Sequence, residues 1–107
     1  MLETIYVFKI DKTCRLQLPV MVREVYSFEK TVYMKLLEIE GEKYLQISGT
    51  ELELYQSYAQ LDNKGRFFVP KEVKEKFDIG ANDRLDSYEG ERENGARTLL
   101  LKKQLHR

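Results

Sequence analysis

Few side chains in this 107-residue sequence suit bond-making chemistry: one His, His106, and one Cys, Cys14. Neither stands in a Ser/His/Asp grouping, beside a Gly-rich phosphate loop or at metal-ligand spacing. No catalyst, metal or cofactor is therefore expected. What the sequence does hold is charge, with 18 Lys+Arg balanced by 18 Asp+Glu. A net charge of zero weighs against coating nucleic acid or an anionic membrane by bulk attraction. The charges are unevenly placed, however. Residues 9–24 carry Lys9, Lys12, Arg15 and Arg23 against Asp11 and Glu24. Residues 62–76 carry Lys64, Arg66, Lys71, Lys74 and Lys76 against Asp62, Glu72 and Glu75. Each stretch sums to +2, whereas residues 29–53 hold three Lys against six Glu. Two small basic patches offset by an acidic hairpin make a weak footprint for phosphate.

The two basic stretches are related. Asp11, Arg15, Pro19, Val22 and Glu24 recur as Asp62, Arg66, Pro70, Val73 and Glu75, at a constant offset of 51 residues. Leu16/Phe67, Leu18/Val69, Tyr26/Phe77 and Phe28/Ile79 keep apolar character at the same offset. With a longer turn in the second copy, residues 37–47 also resemble residues 88–101. The chain reads as a tandem of two diverged units, 1–50 and 51–107. A unit of about 50 residues without disulfide or metal buries too little surface to stand alone. One pseudo-twofold domain over residues 1–107, with a shared core, is the expected result. The connection Gly49–Leu54 has no Pro/Ser-rich linker character, which agrees.

Each unit reads as strand, turn, strand, short helix, then a second hairpin. Ile5–Ile10 and Leu54–Leu61 are rich in β-branched or aromatic residues and are the first strands. Asp62-Asn-Lys-Gly65 has strong turn chemistry, and Arg15–Leu18 and Arg66–Val69 are the returning strands. Pro19 and Pro70 end them and suit a helix's first turn. In 70–77, Val73 and Phe77 lie four apart among charged residues, the pattern of a short amphipathic helix. Val32–Ile39 then pairs with Lys43–Ile47 in the first copy, and Arg84–Glu89 with Thr98–Lys103 in the second. The fold class is mostly β with short helices. The seven Tyr and five Phe fall mostly at strand positions and are expected in the core.

No apolar run approaches the roughly 20 residues that span a bilayer. The N-terminal stretch carries Glu3 and is interrupted at Lys9, unlike a secretory signal. With one Cys and no possible internal disulfide, a reducing cytoplasm is the expected compartment.

The run Leu61-Asp-Asn-Lys-Gly-Arg-Phe-Phe-Val-Pro, followed by a short helix and a hairpin, resembles the AbrB/MazE/SpoVT superfamily of swapped-hairpin transcription regulators. The resemblance covers residues 54–103 well and 3–48 more weakly. It implies a small barrel of interleaved hairpins, here an intramolecular pseudo-dimer similar in arrangement to the MraZ regulators, and binding of double-stranded DNA. In that family the turn and short helix carry the DNA-contacting basic residues. The turn Arg falls on Arg66 and Arg15, and the helix residue on Lys74 and Arg23. Lys12, Lys64 and Lys71 are added for their charge and position. Arg can grip phosphate or guanine bidentately, while Lys acts as a point charge. Cys14 replaces the expected Gly, so an altered first turn is anticipated, and Glu24 and Glu75 stand where some relatives have Arg. Two structural alternatives stay open beside DNA contact. Arg15 and Arg66 are equally suited to pair with Asp11 and Asp62 and so fix the turns. Lys71, Lys74 and Lys76, alternating with Glu72 and Glu75, also fit a solvated helix face. The competing function is a protein-interaction module, antitoxin-like or adaptor, with the same fold and little DNA binding. Either protein would be a monomeric pseudo-dimer or a homodimer.

Overall fold

A computed structural model describes residues 4–104; His106 lies outside them. Strand makes up 43% and helix 13%, so the fold is mostly β. In chain order the elements are β1 (Val7–Lys9), β2 (Arg15–Gln17), α1 (Val20–Val25), β3 (Thr31–Ile39), β4 (Glu42–Ser48), β5 (Ser57–Gln60), β6 (Arg66–Phe68), α2 (Lys71–Phe77), β7 (Arg84–Glu89) and β8 (Leu99–Lys103). No helix among the described residues is long and apolar enough to cross a membrane.

Local chemistry sets most boundaries. Pro19 and Pro70, both at φ −58°, deliver the chain into α1 and α2. Each helix buries one apolar residue and a second four positions on: Val22 with Tyr26, and Val73 with Phe77. The β3–β4 hairpin turns at Glu40-Gly41, where both residues have positive φ, the geometry whose twist matches paired strands. The longer β7–β8 connection contains a second such turn at Asn94-Gly95, closed by hydrogen bonds between Glu93 and Ala96. Several strands are shorter than the sequence implies: β1 keeps only Val7–Lys9 of Ile5–Ile10, β2 and β6 end one residue early, and β5 loses most at its start. The chain from Leu54 to Gln56 runs as a loop, with Leu54 at φ 56° and 90% exposed, and β5 begins only at Ser57. Leu52 is buried earlier in the same connection, and the Gln56 side chain accepts from the Leu36 amide at 3.0 Å, ending the backbone pairing with β3 there.

Six strands form one sheet in the order β1-β7-β8-β4-β3-β5, curled into a half-barrel. β1, from the first half of the chain, pairs with β7 of the second; β5, from the second half, pairs with β3 of the first. Centrally, β4 pairs with β8, Leu45 opposite Leu101. The remaining two strands, β2 and β6, pair only with each other, antiparallel. Since β2 follows one edge strand and β6 the other, this ribbon joins the two edges of the curled sheet. Its inward residues, Leu16 and Phe67, face each other across the ribbon and are 1% and 2% exposed.

A single cluster fills the interior, drawing on Phe8, Ile10, Leu18 and Val32 from the first half and Phe67, Val73, Phe77 and Leu101 from the second. Burial of the aromatics is less complete than their strand positions imply. Phe8, Phe28, Phe67 and Phe77 are buried, but Phe68 is 65% exposed. Among the tyrosines only Tyr26 and Tyr44 are buried. Tyr33, Tyr55 and Tyr58 instead pack against one another by the edge strand β5. Strand placement alone does not decide burial, because alternate residues of one strand face opposite sides.

Tyr26 also ties α1 to the second half. Its hydroxyl donates to Glu89 Oε1 at 2.7 Å, and the Arg97 guanidinium lies 4.6 Å from its ring centre. Burial, then the neighbouring carboxylate, pushes this phenol up to about 12. Phe67→Ala, which empties the centre of the ribbon, should lower stability by about 3–5 kcal/mol. Thermal unfolding followed by circular dichroism reads this directly, and a change within the scatter of surface variants would refute the ribbon's place over the core.

Candidate nucleic-acid interface

The two turns that lead into the ribbon are built alike. Asp11 Oδ1 accepts from the Thr13 and Arg15 amides, both at 2.9 Å, and Asp62 Oδ1 accepts from the Lys64 and Arg66 amides at 2.9 Å. The second carboxylate oxygen takes the guanidinium Nε, at 3.0 Å for Arg15 and 2.8 Å for Arg66. Chiefly through the Arg15 amide, Asp11 is held down to about 2; the Arg66 amide lowers Asp62 in the same way. The ion pairs foreseen as an alternative role for these arginines are thus formed. They leave chemistry over, because a guanidinium carries five N–H donors and each clamp to Asp uses only Nε.

Cys14 does not distort the first turn. It adopts φ 62°, close to the 78° of Gly65, and its amide reaches Asp11 O at 3.0 Å just as Gly65 N reaches Asp62 O. The left-handed conformation costs a side-chain-bearing residue about 1–2 kcal/mol, which the Asp11 clamp offsets. The real difference lies in what packs on the turn. A Cβ at Gly65 would sit 2.5 Å from Arg23 Nε and 2.7 Å from Leu18 O. Arg23, on α1, donates Nε to Leu18 O at 3.0 Å and lies over the second turn.

The basic candidates are thereby sorted into two clusters, each drawn from both halves. At one end of the ribbon Arg23 joins Lys64 and Arg66. At the other, Val69 N donates to Cys14 O at 3.0 Å, so the chain enters α2, which carries Lys71 and Lys74, beside the turn holding Lys12 and Arg15. Lys12, Lys64 and Lys71 are exposed, while Arg15, Arg23, Arg66 and Lys74 are half-buried. Lys71 lies 3.9 Å from Glu75 in an exposed ion pair. Such pairs are worth little and are readily exchanged for a phosphate. Lys71, Glu72, Glu75 and Lys76 are exposed, as a solvated helix face requires, while Glu72 also accepts from Ser57 Oγ on β5.

Between the clusters, the ribbon's outer face presents Arg15, Gln17, Arg66 and Phe68. Arg15 stands opposite Phe68, its guanidinium 5.8 Å from the ring centre; Gln17 stands opposite Arg66 and donates to Lys64 O at 3.2 Å. Gln17 and Phe68 share this face but carry no charge, and the sequence motif does not single them out. The signal for them is the two-residue alternation around Leu16 and Phe67, which turns them outward with the arginines.

A separate apolar surface is equally unforeseen. Val20, Met21 and Val25 of α1 are 58%, 60% and 44% exposed, where α2 has Lys71, Glu72 and Lys76 at the equivalent positions. Met21 and Val25 line a shallow groove with Ile5 and Tyr6, closed at one side by the Glu89–Arg97 pair at 2.7 Å.

Comparison of the chain with models of protein families, with curated proteins and with solved structures finds no match.

Two outcomes test the turns. Because Asp11 and Asp62 titrate lower when folded, their contribution is present above the unfolded carboxyl value of 3.8 and is lost as pH falls below it, for Asp11 towards about 2. Asp11→Asn with Asp62→Asn should therefore be less stable at neutral pH and show a flatter stability profile across that acid window, measured by urea unfolding. Gly65→Ala should cost about 1–2 kcal/mol from its left-handed backbone and more from the Leu18 carbonyl, whereas Cys14→Ala should be nearly silent in the same assay.

Proposed function

We propose that this protein binds double-stranded DNA as a small transcriptional regulator of the swapped-hairpin, AbrB-like kind, its two halves forming an intramolecular pseudo-dimer. The exchange of β1 and β5 between halves supports the architecture, as does the ribbon that bridges the sheet edges. One observation carries the function: each end of the ribbon gathers basic side chains from both halves around a solvent-facing row of Arg, Gln and Phe. An antiparallel two-stranded ribbon fits the DNA major groove, where Arg and Gln meet base edges and flanking Lys meet phosphate. Local neutralisation by Asp11 and Asp62 makes this a contact of limited charge and defined shape, in keeping with the balanced composition. The unpaired Cys14 accords with action in a reducing cytoplasm.

A second reading has its own observation. The apolar outer face of α1 favours a protein-interaction role, in which the fold serves as a docking module. The readings diverge in a gel-retardation assay at low salt, where an interaction module without DNA affinity retards no duplex.

Substitution of Arg15 or Arg66 would break a turn clamp together with any DNA contact, so exposed lysines make the cleaner test. Lys12→Gln, Lys64→Gln and Lys71→Gln combined should leave the melting temperature unchanged. Binding should weaken for all sequences, and the slope of log affinity against log salt should become shallower by about 1 for each phosphate no longer neutralised. An unaltered salt slope would remove these lysines from the interface.

A further inference from the structure

We infer that the ribbon reads a non-palindromic DNA core, because Gln17 and Phe68 make its two halves chemically unlike. The inference rests on the DNA-binding reading above and extends it to sequence preference. Leu16 and Phe67 are equivalent under the 51-residue offset and face each other, so the approximate twofold axis passes between them. Arg15 and Arg66 are then related across that axis, and so are Gln17 and Phe68. The arginines are the same residue held by the same Nε clamp to Asp. The other pair is unlike: one position offers an amide and its equivalent an aromatic ring that is 65% exposed.

The spacing suits base readout. Outward residues two apart on a strand are separated by about 6.7 Å, close to two base-pair steps of about 3.4 Å each. The four side chains stand at two levels along the ribbon, so they span two such steps, a core of about three base pairs. Within it, each Arg fork suits the two acceptors of guanine, Gln suits the donor and acceptor of adenine, and an apolar ring suits the thymine methyl. Gln17 retains what adenine requires. Its amide nitrogen has two hydrogens, of which Lys64 O takes one, and its carbonyl oxygen remains an acceptor. Phe68 has no hydrogen-bonding group, and although the Arg15 guanidinium lies over one side of its ring at 5.8 Å, the residue stays 65% exposed. A ribbon with Gln at both positions would select adenine at the same place in each half-site. This ribbon selects adenine under Gln17 and a thymine methyl in place of that adenine under Phe68.

Enrichment of bound duplexes from a random-sequence pool tests this, with the wild-type chain, Phe68→Gln and Gln17→Phe run in parallel. The wild type should yield a non-palindromic core. Phe68→Gln should yield a palindrome with adenine in both halves, and Gln17→Phe a palindrome with the thymine contact in both. The single exchange Phe68→Gln should shift the preference between the two kinds of core by roughly 5- to 150-fold, the discrimination of one good base contact. Since both residues are exposed, melting temperatures should match the wild type, which separates a change of preference from a loss of folding. A palindromic wild-type core, no enriched core, or an unchanged core with Phe68→Gln overturns the inference while leaving DNA binding in place. Absence of any salt-sensitive retardation by the wild type overturns both together.

Discussion

The arrangement on which the molecule turns is a carboxylate that accepts from two backbone amides and a guanidinium at once. Asp11 and Asp62 each do this, and the turn they close fixes where the returning strand begins. That start decides the phase of β2 and β6. A slip of one residue would send Leu16 and Phe67 outward and bring Arg15, Gln17, Arg66 and Phe68 into the core. Hydrophobic burial alone would resist such a slip, and the clamp adds a local constraint in the same direction. The same groups that make the surface basic are thus restrained by the acids that make the turn. Little of their charge acts at long range, and their positions are well defined at short range.

Much of this arrangement is legible in the residues. The Asp-to-Arg spacing of four, repeated after 51 residues, marks both turns, and the Pro that follows marks both helices. Other features have no local signature. That β1 lies on β7, and β5 on β3, follows from how two halves share one interior, and no window of sequence carries it. Arg23 is readable as a basic helix residue, yet its seat on Gly65 joins positions far apart in the chain, and only the packed molecule creates it. Cys14 misleads for a related reason. The missing Gly implies a changed turn, while the clamp is strong enough to hold a cysteine in the left-handed region. Phe68 misleads because an aromatic residue in a strand is most often core, and here the alternation outweighs residue type.

Divergence between the halves follows a pattern. Residues that face the shared interior, such as Leu16/Phe67 and Val22/Val73, stay apolar, since a polar group there would be stranded without a partner. Outward positions outside the Asp–Arg clamps can change class altogether: Gln17 against Phe68, Val20 against Lys71, Val25 against Lys76. Tyr26 and Phe77 show the boundary case. Both are buried, but only the tyrosine reaches out to a carboxylate and a guanidinium.

The loop between β4 and β5, anchored by Leu52, has an effect that reaches past its own residues. It makes the meeting of the two halves an event within one chain. Two separate subunits would forfeit about 4–15 kcal/mol of translational and rotational freedom on association; a covalent loop replaces that loss with a closure entropy that grows only slowly with length. The halves therefore find each other at the lowest cellular abundance, in a fixed ratio of one to one. A matched pair of genes or a self-complementary surface is unnecessary, and each half is free to acquire substitutions that its counterpart never has to tolerate.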